Sequence, residues 1–214
     1  VGPEGGSVRG KGLSVERIAA AALALVDREG LAALSMRKLA AELDVEAMSL
    51  YKHVANKAEL LDRLVAAAVD DVDLPRGGSW QDRLRSVAAA YRRMGLAHPE
   101  VFDLVASCRS GAPATLEPME AVLVALREGG FDDATAVLAF RALLAYVNGA
   151  VQGQIADEAA PGVGSMHPVS GGAGVELPTL ADLAVPLAEV DYDEAFAFGL
   201  ELLLAALGTR LPGP

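Results

Sequence analysis

The chain has 214 residues, a formal net charge of −11 and a single cysteine, and 52% of its residues are hydrophobic. An apolar share that high excludes a disordered chain, and one cysteine excludes an internal disulfide scaffold. No uncharged apolar run approaches the ~18–20 residues that span a bilayer, and no signal-peptide pattern opens the chain. Ala and Leu supply 41 and 31 residues against two Ile and four Thr, a balance that favours helix because β-branched residues lose more side-chain freedom there. The expectation is an all-α, cytoplasmic protein that makes no membrane contact. The Val that stands where Met would open a chain reads as a trimmed end.

The charge is unevenly spread. Residues 1–64 carry nine Lys/Arg and nine Asp/Glu, whereas residues 65–214 carry nine basic residues against twenty acidic ones. A neutral N-terminal unit beside an acidic body leaves DNA contact open to the first and repels it from the second.

Residues 1–12 are Gly-rich, carry Arg9 and Lys11, and read as a flexible arm. Ser14 and Ser35 each stand between an apolar residue and another four positions on (Leu13 and Ile18, Leu34 and Leu39), the pattern of an N-cap with a hydrophobic staple. Gly30 stops the first helix. Ile18, Ala22 and Leu25 share a face, as do Leu39 and Leu43, and Leu50 and Val54. Only Leu43-Asp44-Val45 separates the second helix from the third, Glu46 to His53, a helix-turn-helix spacing. Asp44 suits that turn because Asp visits left-handed backbone more readily than most residues. Asn56 with Glu59 reads as a capping box opening a fourth helix, Lys57 to Asp70. After a break at Leu74-Pro75-Arg76-Gly77-Gly78, Ser79 caps a helix ending near His98-Pro99. Further helices are expected over Val101–Ser107, Leu116–Glu128, from Asp132 or Asp133 to about Asp157, and Asp193–Leu207. Residues 159–178 hold five Gly and three Pro and read as part of a mobile loop extending to about 190. The domains are thus expected at 13–74, a three-helix helix-turn-helix DNA-binding unit, and at 79–208, a larger helical ligand-binding and dimerisation unit.

The stretch from Ser14 to Leu64 resembles the DNA-binding domain of the TetR family of transcriptional regulators. The most specific string is Leu-Tyr-Lys-His-Val-Ala-Asn-Lys-Ala-Glu-Leu from Leu50 to Leu60. Weaker echoes at Trp80, His98-Pro99, Tyr146-Val147-Asn148-Gly149 and Phe196-x-Phe-Gly-Leu-Glu look like the C-terminal class of the tetracycline repressors. The resemblance implies a homodimer that binds a palindromic double-stranded DNA operator and releases it when a small-molecule effector occupies the C-terminal domain. It also implies that Tyr51 and Lys57 contact phosphate and that Ser35, Met36 and Arg37 lie in the second-helix contact region.

Within the third helix, Ala47, Met48 and Ser49 are placed to face base edges, and Lys52 and His53 follow one turn later. Ala and Met can meet thymine methyl groups, and Lys can reach guanine acceptors. Read singly, Tyr51 and His53 would be packing residues and Lys52 and Lys57 solvated charges; the whole spacing favours DNA. The candidate effector-lining residues are Tyr91, Met94, Phe102, Met119, Leu123, Tyr146, Asn148 and Gln152. Asn148 and Gln152, in line with Arg141 and Ala145, suit either a pocket or a dimer partner. Phe196, Leu200, Leu203 and Leu207 form a stripe for a dimer interface or for the core, and Gly149 and Gly153 permit close approach. The acidic body favours a neutral or cationic, largely apolar effector. No metal or cofactor is expected, because His53, His98 and His167 have no Cys or carboxylate at ligand spacing. Gly5 to Lys11 fits a phosphate-binding loop, but Gly12 stands where Ser or Thr is needed and no strand precedes it. Cys108 reads as a small buried hydrophobe, and no acid–base pair or nucleophile constellation points to an enzyme. The alternative to a regulator is a helical ligand-binding or interaction protein without DNA affinity.

Overall fold

A computed structural model describes residues 12–70, 74–106, 115–159 and 177–211. Helices form all the regular structure among them. The expected arm (1–11) and the Gly/Pro-rich stretch 160–176 lie outside the described residues.

In the N-terminal unit, α1 (Val15–Glu29) opens where the Ser14 side chain accepts the Arg17 N–H and closes at Gly30, whose φ of +81° only Gly adopts without strain. A single 3-10 turn (Leu31–Ala33) leads to α2 (Met36–Glu42), where Ser35 accepts the Lys38 N–H. Asp44 adopts the left-handed conformation expected of it, at φ +53°, and its neighbour Val45 donates its N–H back to the Ala40 carbonyl at 3.0 Å. The third helix, α3 (Ala47–Leu50), is shorter than the expected Glu46–His53. His53 and Val54 both donate to the Leu50 carbonyl, and the chain then leaves the helix because Val54 is fully buried. In α4 (Lys57–Val69), Asn56 accepts the Glu59 N–H, while the Glu59 carboxylate accepts the Ala55 N–H, one residue earlier than a capping box requires. Ile18, Leu25, Leu39, Leu50, Val54, Leu60 and Leu64 are fully buried and fuse these helices into one core.

The second unit contains α5 (Trp80–Ala97), α6 (Pro99–Ala106), α7 (Leu116–Glu128), α8 (Asp133–Ala159), α9 (Pro178–Asp182), α10 (Ala184–Ala188) and α11 (Tyr192–Gly208). Ser79 caps α5, and Asp132 rather than Asp133 caps α8, accepting the Thr135 N–H at 2.8 Å. By length and composition α8 is apolar enough to cross a membrane, yet it is the central packing helix, touching α5, α7 and α11. A Cβ at Gly95 would come within 2.7 Å of Phe102 and Val151, so α5, α6 and α8 meet there at a distance only Gly allows. The loop expected to reach 190 is corrected by α9 and α10. Leu177, Leu180, Leu183 and Leu187 share one concave face, and Pro178 starts α9 at a position where its missing N–H is no loss.

Candidate DNA-binding face and effector cavity

The charged residues of the first unit divide into two sets. Arg28 pairs with Glu29 and Glu42, and Lys38 pairs with Glu29. The Lys38 ammonium holds the Glu29 carboxyl below its ordinary range, with Arg28 adding to the effect. These pairs lock α1 to α2 behind the turn. Arg37, Lys52 and Lys57 are exposed and have no carboxylate partner among the described residues. Beside them Met48 is 70% exposed and Tyr51 46% exposed, large side chains that nothing in the subunit covers. Ser35 is exposed but its oxygen already caps α2. Ser49 and His53 are half-buried. Met36 and Ala47 are half-buried and pack against the core, because α2 and α3 close on each other there. The face is therefore a cluster of unpaired cations around an apolar tip.

The second unit encloses a cavity of about 260 Å³ between α5, α7 and α8, with Val69 of α4 and Val105 of α6 in its wall. Of the expected lining residues, Tyr91 and Met119 are there. Met94, Phe102, Leu123, Tyr146 and Gln152 are not part of that wall. Met94 and Phe102 are buried in the core, where the Phe102 ring meets Tyr91 edge-on at 5.6 Å. Leu123 is half-buried on α7 outside the wall. Tyr146 faces α11 instead, stacking on Phe196 at 5.7 Å and donating its hydroxyl to the Phe196 carbonyl at 2.7 Å. Gln152 is exposed, and Asn148, next in sequence to the wall residue Val147, has a buried Oδ1 with no hydrogen-bond partner among the described residues. The stripe of α8 that does line the cavity is Phe140, Leu143, Leu144 and Val147. These four residues recur at i, i+3, i+4 and i+7 on α8, whereas Tyr146 and Gln152 are not part of the wall.

The expected dimer stripe is corrected at two of its four positions, Phe196 and Leu200. Phe196 and Leu200 are buried within the subunit, with the Arg92 guanidinium 5.0 Å above the Phe196 ring, and Leu203 and Leu207 are half-buried. The exposed apolar side of α11 is instead Phe198 and Leu202, at 67% and 57%. On α8, Gly149 and Gly153 are exposed with nothing near their Cα positions. Two polar contacts tie α5 and α6 to the first unit: the Glu100 carboxylate accepts the Leu31 N–H at 3.2 Å, and His98 Nδ1 lies 2.9 Å from the Asp27 carboxylate.

A turn with a left-handed residue between two short helices, exposed cations on and around them, and a cavity-bearing helical body define a helix-turn-helix DNA-binding transcriptional regulator. Residues 13–64 match the family described as bacterial regulatory proteins, tetR family, and residues 73–211 match the tetracyclin repressor-like C-terminal domain. The chain belongs to the tetR family, as the resemblance of its Leu50–Leu60 string implied. It is 38% identical over 144 residues to an HTH-type transcriptional regulator of Saccharopolyspora erythraea, spanning 66% of this chain and 61% of that one. It is 34% identical to the HTH-type transcriptional repressor DrrR1 of Streptomyces coeruleorubidus, over 91% of this chain and 77% of that protein. Among solved structures, the TetR family protein ActR of Streptomyces coelicolor in complex with actinorhodin superposes with a TM-score of 0.76 at 31% identity, covering 95% of this chain and 100% of that one.

Proposed function

We propose that this protein is a homodimeric repressor that holds a palindromic operator through the α2–α3 faces of its two subunits and releases it when a small molecule fills the cavity. Met48 and Lys52 read base edges in the major groove, while Arg37, Tyr51 and Lys57 hold the phosphates. Ser35, Ser49, His53, Ala47 and Met36 shape the face from behind. The observation that carries the reading is the course of α4. Its first residue, Lys57, stands at the DNA face, and its last, Val69, is part of the cavity wall, about 20 Å away at 1.5 Å per residue. A ligand that presses on Val69 therefore moves a helix whose other end sets the position of α3. The complex of ActR with actinorhodin supports a small-molecule effector.

Release requires that the effector bind the DNA-incompetent state more tightly, since equal affinity for both states shifts nothing. A coupling of about 1–3 kcal/mol weakens DNA binding roughly 5- to 150-fold. Selection from random duplexes at low salt should enrich a palindrome with half-sites roughly 34–36 Å apart, or a multiple. Binding to it should weaken steeply with salt. If no palindrome emerges, the protein is a helical binding module rather than a repressor.

A further inference from the structure

The described side chains lining the cavity are all uncharged, and only the hydroxyls of Tyr91 and Thr115 interrupt an apolar wall. No group of His, Cys, Asp or Glu able to hold a metal ion occurs among the described residues. An ion of either sign moved against such a wall forfeits its hydration without meeting a counter-charge. One polar group next in sequence to a wall residue has hydrogen-bonding capacity unused among the described residues. Asn148 follows Val147 and lies one helical turn beyond Leu144, both cavity residues, and its buried Oδ1 has no hydrogen-bond partner among the described residues. A carboxamide oxygen accepts, so what it lacks is a donor. The volume, about 260 Å³, lies just below the ~300–1,000 Å³ usual for small-molecule pockets, which suits a compact ring system.

We propose, taking this cavity to be the effector site argued above, that it binds an uncharged, largely apolar molecule presenting one hydrogen-bond donor toward Asn148, without a metal ion. This narrows the expectation from composition, which left cationic ligands open.

Calorimetry on the full chain with four probes of one shape tests it: 2-naphthol, naphthalene, 2-naphthoate and 2-naphthylmethylammonium. 2-Naphthol should bind best. Naphthalene, with no donor, should bind about three- to tenfold more weakly, and both ions should bind more weakly still. Asn148→Leu should erase the difference between naphthol and naphthalene. Ala88→Phe, or Leu144→Trp should the first variant fail to fold, should abolish binding of both, and a chelator should change nothing. The ligand class is overturned if either ion binds as tightly as naphthol, if a magnesium–tetracycline chelate binds more tightly, if no probe binds at millimolar concentration, or if binding survives a folded wall variant. Operator affinity measured beside each titration keeps the two readings apart. A chelate that binds and releases the operator sinks this ligand class and leaves the repressor reading intact, whereas naphthol that binds without releasing it supports the ligand class alone.

Discussion

At the scale of single residues, the DNA face is decided by which cations are already paired. Arg28 and Lys38 are spent on Glu29 and Glu42, and Arg37, Lys52 and Lys57 are not. Sequence alone names all five as basic, and only side-chain geometry separates them. Lys52 follows Met48 by four residues, two past the end of α3, so Lys52→Ala should change base preference by about 1–3 kcal/mol at one operator position. Lys57 opens α4 on the phosphate side of the proposed interface, so Lys57→Ala should weaken binding to all duplexes alike and lower the salt slope by about 1. Fluorescence anisotropy on operator and scrambled duplexes, at several salt concentrations, distinguishes the two. Equal loss on every sequence for both variants would assign Lys52 to phosphate instead.

At the scale of elements, helix starts were legible because a cap is a contact between residues three apart. Ser14, Ser35, Asn56 and Ser79 all accept the N–H their spacing predicted. Asn56 matters beyond its own turn, since it fixes the end of α4 that carries Lys57. Asn56→Ala should cost about 0.5–2 kcal/mol of stability, read by urea denaturation, and should weaken operator binding while the cavity keeps its probe affinity. Loss of probe binding with the fold intact would mean that the Asn56 cap also shapes the cavity end of α4 rather than its DNA end alone.

At the scale of the whole molecule, the corrected packing of α11 moves the expected dimer contact. Phe196 and Leu200 hold α11 to its own subunit, so in the proposed dimer the exposed Phe198 and Leu202 on α11 and the glycine face of α8 are the surfaces to meet a partner. A two-fold contact uses the same patch on both subunits, so Leu202→Arg sets two like charges close together. Sedimentation should show it monomeric with its helicity retained; a fully dimeric variant would place the interface elsewhere. Stability against pH is also a property of the whole molecule. Glu29 beside Lys38, Asp82 beside the Ser79 hydroxyl, Asp132 on the Thr135 N–H and Glu201 beside Arg85 all have carboxyl pKa values held below the ordinary range. A depressed carboxyl stabilises the fold above its unfolded pKa and loses that contribution as pH falls through the folded one. Tyr192, pushed up to about 12 chiefly by its hydrogen bond to Asp157 and then by burial, has the opposite sign. Its contribution is present below the ordinary tyrosine pKa and disappears as pH rises through about 12. The melting temperature should hold across neutral pH, drop below about pH 4, and drop again in strong alkali.

What the sequence determined by itself is whatever a few neighbouring residues settle: the helix starts, the Gly30 stop, the left-handed turn at Asp44 and the helix-turn-helix spacing. Each depends on bonds or sterics within four or five positions, so the local string holds the whole cause. What only the tertiary structure decided is which side of α8 and α11 faces inward. Both helices are apolar nearly all round, so they carry no stripe for periodicity to read. Their rotation is set by where other helices offer a matching surface: Tyr146 turns to α11, Phe140 to the cavity, and Phe196 under Arg92. Burial follows from shape and contact between distant parts of the chain, which the local string does not record.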